Sequence, residues 1–275
     1  MAGGGQRTAL ITGASSGIGL ELATCFARDG YDLVLVARNA AALEALAGEL
    51  RQAFGVSVIT LPKDLSLRDT PTELVEHLTR SSVAVDVLVN NAGFGTHGAF
   101  AEADLTEQLE MMQVNMAALT HLTRLCLPGM LARRRGKILH VASTAAFQPG
   151  PLMAVYYATK AYVLSFSEAL ANELRGSGVT VTVLCPGPTQ TNFQQRAGVA
   201  HIRVMSRRVM DARTVAEAGY RGLMRGKLLV IPGWRNRLLI NAVRWLPRQL
   251  VTGAVRRLQE QQRVHDVTEH RSDVP

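Results

Sequence analysis

Short apolar runs alternate with longer segments of helical spacing along the first two thirds of the chain, and this alternation limits the possible folds. The predicted strands are Thr8–Thr12, Leu33–Ala37, Val56–Leu61, Val85–Asn90, Lys137–Ala142 and Val179–Cys185. The predicted helices between them are Gly17–Arg28, Ala40–Phe54, Thr70–Arg80, Thr106–Leu131 and Val155–Leu174. Strands that alternate with helices predict βαβ units and a parallel sheet. Because these strands are apolar almost throughout, we expect helices on both faces of the sheet.

The predicted fold class is therefore α/β, a doubly wound parallel sheet of about seven strands flanked by helices. We predict that residues 1–232 form a single domain, because α/β folds of this size often do. Residues 192–210 show no clear period and are expected to form a lid over the substrate. We expect a basic helical extension at 233–263 and a disordered tail at 264–275.

A glycine-rich turn joins the first predicted strand to the first predicted helix. It reads Thr12-Gly13-Ala14-Ser15-Ser16-Gly17-Ile18-Gly19. Glycine permits a tight turn and lets a phosphate approach the backbone, and the N–H groups that open the next helix bind an anion. In this position of a Rossmann-type sheet, the turn predicts a dinucleotide site.

With the rest of the chain, this GxxxGxG turn resembles that of the classical short-chain dehydrogenase/reductase family. The other matching elements, in that family's order, are Asp64-Leu65, Asn90-Asn91-Ala92-Gly93, Asn115, Ser143, Tyr156-Tyr157-Ala158-Thr159-Lys160 as YxxxK, and Pro186-Gly187. The resemblance covers residues 6–191 and implies a Rossmann-type oxidoreductase. Within the family, the chain resembles a bacterial branch whose substrate is unassigned.

The end of the second strand indicates which nicotinamide cofactor binds. A ribose 2′-hydroxyl is held by an acidic residue there, whereas a 2′-phosphate calls for arginine. The stretch reads Val36-Ala37-Arg38-Asn39 and contains no acid, and Asp32 stands at the other end of the strand. Arg38 can bind a phosphate through two N–H groups, and Ser15 adds a hydroxyl. We predict NADP(H) rather than NAD(H), the alternative being that Arg38 is a solvated residue at a strand end.

The resemblance also implies the remaining cofactor contacts. They are Asp64 and Leu65 at the adenine, Asn91, Ala92 and Gly93 on the ribose and nicotinamide side, Pro186, Gly187, Thr189 and Thr191 at the carboxamide, and Tyr156 and Lys160 beside the nicotinamide.

The YxxxK pair predicts the chemistry of the site. Carbonyl reduction needs a hydride, a proton and a group that stabilises the oxyanion. Tyr156 and Lys160 share one helix face, and a nearby ammonium favours phenolate, so we predict Tyr156 as general acid/base with its pKa lowered by Lys160. The resemblance implies that Ser143 hydrogen-bonds the substrate oxygen and that Asn115 holds a water connected to Lys160. Tyr157 lacks a lysine four residues later and receives no catalytic role.

Three aromatic residues are expected to line an apolar substrate pocket, namely Phe94, Phe147 and Phe193. Arginines in the predicted lid are either solvated, which we favour, or recognise an anionic end of the substrate or an acidic carrier; they are Arg196, Arg203, Arg207 and Arg208. The histidines show no metal-ligand spacing, so we expect no metal.

The positive charge is concentrated near the C-terminus. Residues 225–263 contain nine basic residues and one acid, which accounts for the whole formal net charge of +8. Leu239, Val243, Leu246 and Leu250 fall on one helical face, with Trp234 and Trp245 at its flank. Such a face either packs against the domain or a partner subunit, which we favour, or contacts a membrane surface between residues 233 and 258. No nucleic-acid motif accompanies the charge, so we expect no nucleic-acid partner.

The leading functional prediction is an NADP(H)-dependent oxidoreductase that interconverts a carbonyl and a secondary alcohol of apolar character. The alternatives are a 3-oxoacyl or steroid-type reductase and, in another class, a non-catalytic NADP-binding scaffold at a membrane. The resemblance implies a homodimer or homotetramer. Three cysteines far apart in sequence, with neither a signal peptide nor an apolar run of transmembrane length, predict a cytoplasmic protein, peripheral at the inner membrane face if the basic segment binds lipid.

Overall fold

The computed structural model describes residues 7–191 and 209–269, and most of its strands belong to one sheet. The strands of that sheet are β1 (Thr8–Thr12), β2 (Asp32–Ala37), β3 (Val58–Pro62), β4 (Val85–Asn90), β5 (Gly136–Val141), β6 (Val179–Leu184) and, later in the chain, β9 (Leu229–Val230). All pairs are parallel, and the order is β3-β2-β1-β4-β5-β6-β9. The prediction of a doubly wound α/β sheet of about seven strands is confirmed. A second, two-stranded sheet pairs β7 (Thr189–Gln190) with β8 (Met210–Asp211).

Helices connect successive strands of the sheet. They are α1 (Gly17–Arg28), α2 (Ala40–Phe54), α3 (Thr70–Arg80), α4 (Leu105–Met112), α5 (Leu119–Ala132), α6 (Ala154–Glu173) and α7 (Ala212–Met224). Local sequence signals set several ends: the side chain of Asn39 accepts a hydrogen bond from the Ala42 N–H at 3.0 Å, and Gly55 ends α2 with a φ of 68°. A π-helical segment, Gln113–Ala118, separates α4 from α5, so the predicted single helix 106–131 has three parts.

Two apolar layers cover the sheet, because successive side chains of each strand point to opposite faces. Ala9 and Ile11 of β1 pack with Phe26 of α1 in one layer. Leu10, between them, packs with Leu122 of α5 in the other. Helices on both faces leave the carboxyl ends of the strands open, and a crevice forms there where the strand order reverses beside β1.

The chain ends in two helices, α8 (Trp234–Trp245) and α9 (Arg248–Glu269). The carbonyl of Pro247 accepts hydrogen bonds from the N–H groups of Leu250 and Val251, so the second helix begins after the proline. Helix α9 continues past residue 263 into the segment expected to be disordered. Across the described parts of the chain, no helix combines the length and apolarity needed to span a bilayer.

The apolar face predicted for this extension is not the one that packs on the sheet domain. Leu246 and Leu250 are exposed, whereas Val251 and Val255 of α9 and Ile240 of α8 are buried. The predicted face assumed one continuous helix through position 247. The chain instead breaks between Trp245 and Arg248, so residues after the break do not continue the face of α8.

Candidate active site

The glycine-rich turn between β1 and α1 has the geometry that a bound phosphate needs. Gly13 and Gly17 have φ values of 64° and 56°, which side chains rarely adopt. A Cβ at Gly19 would collide with the Gly13 carbonyl, so the turn and the helix start fit only with glycine there. Ser16 precedes α1 without capping it through its side chain, and the first turn has no acid. The side chain of Ser16 does not cap the N–H groups that open α1, and a helix N-terminus of this kind can bind an anion.

Thr12 and Asn91 hold this turn against the end of β4. The Asn91 side-chain amide donates to the carbonyls of Thr12 and Gly13 at 2.9 and 3.1 Å. The Thr12 hydroxyl accepts from the N–H groups of Asn91 and Ala92, each at 3.0 Å. Asn91 was predicted as a cofactor contact; its side chain fixes the turn, while the residue also lines the cavity described below.

Arg38 stands just beyond β2, at the edge of the same crevice. Its Nη1 lies 3.8 Å from Oδ2 of Asp64, and about half of its side chain is exposed. Asp64 is itself fixed by a hydrogen bond from the Ser66 N–H to its other oxygen at 2.9 Å. The guanidinium is thus held near the predicted adenine end, with its donors accessible to a phosphate.

Tyr156 and Lys160 lie one turn apart on α6 and are both buried. Lys160 Nζ is 5.8 Å from the centre of the Tyr156 ring and donates to the carbonyl of Val141 at 3.0 Å. Ser143 follows β5, and its side chain hydrogen-bonds Tyr156. Its Oγ also accepts from the Ala145 N–H at 3.1 Å, which fixes its position. The structure therefore brings together the three residues predicted to touch the reacting groups.

Asn115 sits in the π-helical segment beneath this cluster. Its amide donates to the Phe94 carbonyl at 2.9 Å and to Thr159 Oγ1 at 3.1 Å, and its Oδ1 accepts from the Phe94 N–H at 3.1 Å. A Cβ at Gly93 would lie 2.9 Å from Asn115 Oδ1 and 3.4 Å from Lys160 Nζ, so both groups approach the same small space. The predicted water-holding role of Asn115 stays a prediction.

Burial is the largest influence on the pKa values of Tyr156 and Lys160 in the protein without cofactor. It raises the pKa of Tyr156 above its usual range, and the hydrogen bond with Ser143 only partly opposes this. Burial also lowers the pKa of Lys160, to about 8. The predicted lowering of the Tyr156 pKa by Lys160 stays a prediction. The phenol is a protonated acid at neutral pH.

The segment after β6 forms the opposite wall. The Thr189 hydroxyl donates to the Gly187 carbonyl at 2.9 Å, and the Pro186 carbonyl accepts from the Thr144 N–H at 2.9 Å. A Cβ at Gly17 would lie 2.8 Å from Thr191 Cγ2, so the segment after β6 contacts the glycine-rich turn directly.

One cavity of about 790 Å³ joins these parts, except that Asn115 does not line it. Every predicted cofactor residue lines it except Gly19, whose place is inside the turn. Phe94 lines it as predicted, but Phe147 packs beside Val163 and Val183 in a separate apolar cluster and was wrong as a pocket residue. Phe147 is the last residue of the short 3-10 helix that follows Ser143. Phe193 and the four lid arginines lie outside the described residues.

Sequence reasoning missed part of the wall. The unpredicted lining residues include Val114, Gln148, Met153, Tyr157, Leu239, Val255, Leu258 and Gln259. Tyr157 was given no catalytic role, but its place next to Tyr156 is a signal that could have assigned it to the wall of the cavity. The α9 residues gave no local signal, because only the tertiary fold brings them to the cavity.

The sequence profile described as short chain dehydrogenase matches residues 7–200, well over half of the chain. The chain belongs to the short-chain dehydrogenase family. It is 39% identical over 175 residues, 63% of its length, to the very-long-chain 3-oxoacyl-CoA reductase of Laccaria bicolor, of which it covers 52%. The chain spans about half the length of several of the curated relatives it matches.

Solved structures of this family match over nearly the whole fold. A short-chain dehydrogenase from Sphingobium yanoikuyae, in complex with NADPH, is 36% identical with a TM-score of 0.78, covering 92% of this chain and 95% of that one. The bulky-bulky ketone specific alcohol dehydrogenase from Comamonas testosteroni is 32% identical with a TM-score of 0.74, covering 86% and 92%.

Proposed function

We propose that this protein is an NADP(H)-dependent oxidoreductase that interconverts a carbonyl and a secondary alcohol. The observation that carries the proposal is one continuous cavity with Ser143, Tyr156 and Lys160 at one part and the glycine turn and Arg38 at another. A dinucleotide has the same division, with a reactive ring at one end and phosphates along its length. The intact catalytic set disfavours the scaffold alternative, since a scaffold needs no buried acid beside a lysine.

The residues present fit NADP(H). The helix N-terminus after Gly13 would hold the pyrophosphate, and Arg38 would pair with the 2′-phosphate in place of an acidic residue. When bound, the nicotinamide supplies or accepts the hydride. The relative from Sphingobium yanoikuyae, itself in complex with NADPH, supports this choice.

The chain's own residues move the proton and hold the substrate oxygen. Tyr156 Oη donates its proton to the developing alkoxide in reduction and takes it back in oxidation. Ser143, hydrogen-bonded to Tyr156, places a second donor for the oxyanion. Lys160 stays fixed through the Val141 carbonyl and would hold the nicotinamide ribose.

The substrate is a ketone or alcohol of largely apolar character. Phe94, Met153, Val255 and Leu258 supply apolar surface beside the polar catalytic groups. The ketone specificity named for the Comamonas testosteroni enzyme supports a bulky ketone. The second candidate is a 3-oxoacyl thioester, which the Laccaria bicolor relative favours by its name.

The first experiment measures thermal stability with NADPH or NADH, and then turnover. Ligand binding to the folded state raises the melting temperature by mass action. We expect a larger rise with NADPH, followed by NADPH oxidation with bulky ketones and with 3-oxoacyl thioesters in a comparison that ranks the two classes. An equal or larger rise with NADH would reject the cofactor assignment, and the absence of any rise would reject the enzyme.

The exposed face of α8 and α9 is proposed to be a subunit contact of a homodimer or homotetramer. Trp234, Leu238, Trp245, Leu246 and Leu250 are more than half exposed, an unusual apolar content for a free surface. Arg235 lies 5.3 Å over the Trp234 ring and adds charge at the edge, so a peripheral contact with an anionic membrane is the second candidate. Light scattering and sedimentation with anionic vesicles at low salt separate the two.

A cytoplasmic location is also part of the proposal. Cys25, Cys126 and Cys185 are free and buried, as suits a reducing compartment. Fractionation of cells that express the protein tests it, and recovery with the membrane fraction after a high-salt wash would argue against it.

A further inference from the structure

Two leucines of the C-terminal helices are exposed and yet line the cavity. Leu239 of α8 is 61% exposed, and Leu258 of α9 is 58% exposed. Of the large apolar side chains that are exposed in the described part of the chain, these two border the cavity. Neither belongs to the group of residues proposed above as a subunit contact. Apolar surface at the edge of a cavity is typical of a ligand-binding groove.

Helix α9 carries an apolar path from the inside of the cavity to this exposed edge. Val255 is buried and Leu258 is exposed, and both line the cavity. Because they are three residues apart, they lie on one side of the helix. Gln259, next to Leu258, donates through Nε2 to Tyr157 Oη at 3.2 Å. This hydrogen bond fixes α9 in the wall of the cavity.

Helix α8 reaches the cavity in the same way. Asn236 lines the cavity, and its Nδ2 donates to the Pro232 carbonyl at 2.8 Å. A Cβ at Gly187 would lie 2.7 Å from Asn236 Nδ2, so Asn236 packs against the segment after β6. Leu239, three residues after Asn236, lies on the same side of α8. Each C-terminal helix therefore has a polar residue fixed in the wall and a leucine at the exposed edge.

The exposed edge is separated from the reacting groups by the depth of the cavity. The ring centres of Tyr156 and Tyr157 are 6.0 Å apart, so the residue that holds α9 is next to the catalytic tyrosine. Tyr156 is buried, whereas Leu258 is exposed. A substrate whose carbonyl lies at Tyr156 must therefore extend from the buried to the exposed end of the cavity to touch Leu258.

We infer that Leu239 and Leu258 bind an uncharged alkyl or acyl chain of the substrate, which runs from the carbonyl at Tyr156 to the exposed edge of the cavity. This inference rests on the proposed carbonyl chemistry at Tyr156. An apolar chain is the occupant that this edge favours, because the side chains of Leu239, Val255 and Leu258 have no hydrogen-bonding group. Each methylene group that the chain buries against them adds to its affinity. The substrate class is a carbonyl compound with a long apolar chain.

The test compares methyl nonyl ketone with methyl propyl ketone, which differ only in the length of the apolar chain. The variants are Leu258→Gln and the double variant Leu239→Gln/Leu258→Gln. The control is Leu105→Gln, the same change at an exposed leucine of α4 that does not line the cavity. For each protein, kcat/KM is measured with NADPH. The Kd of each ketone is measured by calorimetry in the presence of NADP⁺, since neither ketone carries an alcohol that NADP⁺ could oxidise.

We expect the wild type to prefer methyl nonyl ketone, and the double variant to reduce that preference about tenfold or more, with Leu258→Gln between the two. The loss should be much smaller with methyl propyl ketone, whose short chain does not reach the exposed edge. Leu105→Gln should behave as the wild type with both ketones. Because both leucines are exposed, the variants should unfold in urea at the wild-type midpoint.

Three results would overturn the inference: no preference in the wild type, an unchanged preference in the double variant, or an equal loss for both ketones. The two measurements also separate the inference from the proposed function. Tighter binding of methyl nonyl ketone that the double variant abolishes, without turnover of either ketone, would support the inference and reject the proposed activity. Turnover of both ketones at a ratio that the double variant does not change would support the activity and reject the inference. Neither binding nor turnover of the two ketones would reject both.

Discussion

Tyr156 combines burial with a hydrogen bond to Ser143, and this combination fixes a neutral phenol at the reacting end of the cavity. Because burial raises its pKa, the phenol stays protonated at neutral pH. A neutral phenol is the form that donates a proton in the proposed reduction, and the proposed oxidation should gain from alkaline pH because it needs the phenolate.

Tyr156→Phe removes the proton donor and keeps the ring. We expect kcat for ketone reduction to fall about a thousandfold, with NADPH affinity within a few fold of the wild type. Stopped-flow turnover and fluorescence titration of NADPH measure the two quantities. Tyr162→Phe, at a partly exposed position of the same helix, is the control and should keep full activity. Substantial turnover by Tyr156→Phe would reject the tyrosine mechanism.

Arg38→Asp tests the selection of the cofactor. The change removes the partner of the 2′-phosphate and places a carboxylate near Asp64, which now lies 3.8 Å from the guanidinium. We expect NADPH affinity to fall roughly 10- to 100-fold, the loss of a charged hydrogen-bonded pair, and the preference to turn toward NADH. Kd values for both cofactors report the outcome. Arg80→Asp, an exposed charge reversal at the end of α3, should leave the preference unchanged; the same result for Arg38→Asp would contradict the assignment.

At the scale of elements, apolar periodicity and glycine placement were enough to predict six strands and the main helices, because these signals are local. Strand β9 has only two residues and was not predicted, since its pairing with β6 depends on the tertiary fold. The π-helical segment around Asn115 was also missed, because its sequence has ordinary helical spacing. The catalytic residues could be predicted from their order in the chain, but the contribution of α9 to the cavity could not.

Gly93→Ala tests how closely the end of β4 meets the π-helical segment. The added methyl would lie 2.9 Å from Asn115 Oδ1, which its hydrogen bonds keep from moving freely. We expect a destabilisation of roughly 1–3 kcal/mol and a loss of activity of about tenfold or more as Lys160 shifts. Urea unfolding and ketone turnover measure these effects.

Gly48→Ala is the matched control for that change. Gly48 lies inside α2 with nothing within 4 Å of an added Cβ. Alanine there should stabilise the protein by about 0.5–1 kcal/mol and leave activity unchanged, because it reduces the freedom of the unfolded chain. If Gly93→Ala were as stable and as active as Gly48→Ala, the contact between position 93 and Asn115 would have to relax at little cost, which would contradict the prediction.

At the scale of the whole molecule, the doubly wound sheet collects distant motifs at one edge. The glycine turn, Arg38, Ser143 and the segment after β6 all follow carboxyl ends of strands, so the strand order alone brings them to one crevice. The final helix then adds residues far along the chain to the same cavity. Cofactor binding and the packing of α9 should therefore stabilise each other, since both act on one enclosed space.

A buried histidine connects the sheet to helices α5 and α6 and makes the stability of the protein depend on pH. His140 of β5 contacts Ser167 Oγ at 2.8 Å through Nδ1 and Thr123 Oγ1 at 3.1 Å through Nε2. Burial lowers its pKa to about 3, so the folded protein keeps it neutral. The unfolded chain binds this proton near pH 6.5. Between about pH 3 and 6.5 the unfolded state thus binds more protons, and stability is lost as the pH falls through this window.

We expect the unfolding free energy of the wild type to fall between pH 7 and pH 4, with His140 contributing on the order of 3 kcal/mol. His140→Phe keeps a ring against Phe166 and removes the titrating group, while the Ser167 and Thr123 hydroxyls can donate to the carbonyls of Val163 and Leu119. The unfolding free energy of this variant, measured with urea, should fall less than that of the wild type between pH 7 and pH 4, by the contribution of His140. His77→Gln, an exposed histidine on α3, should keep the wild-type slope. Parallel curves for the wild type and His140→Phe would show that other groups govern acid unfolding.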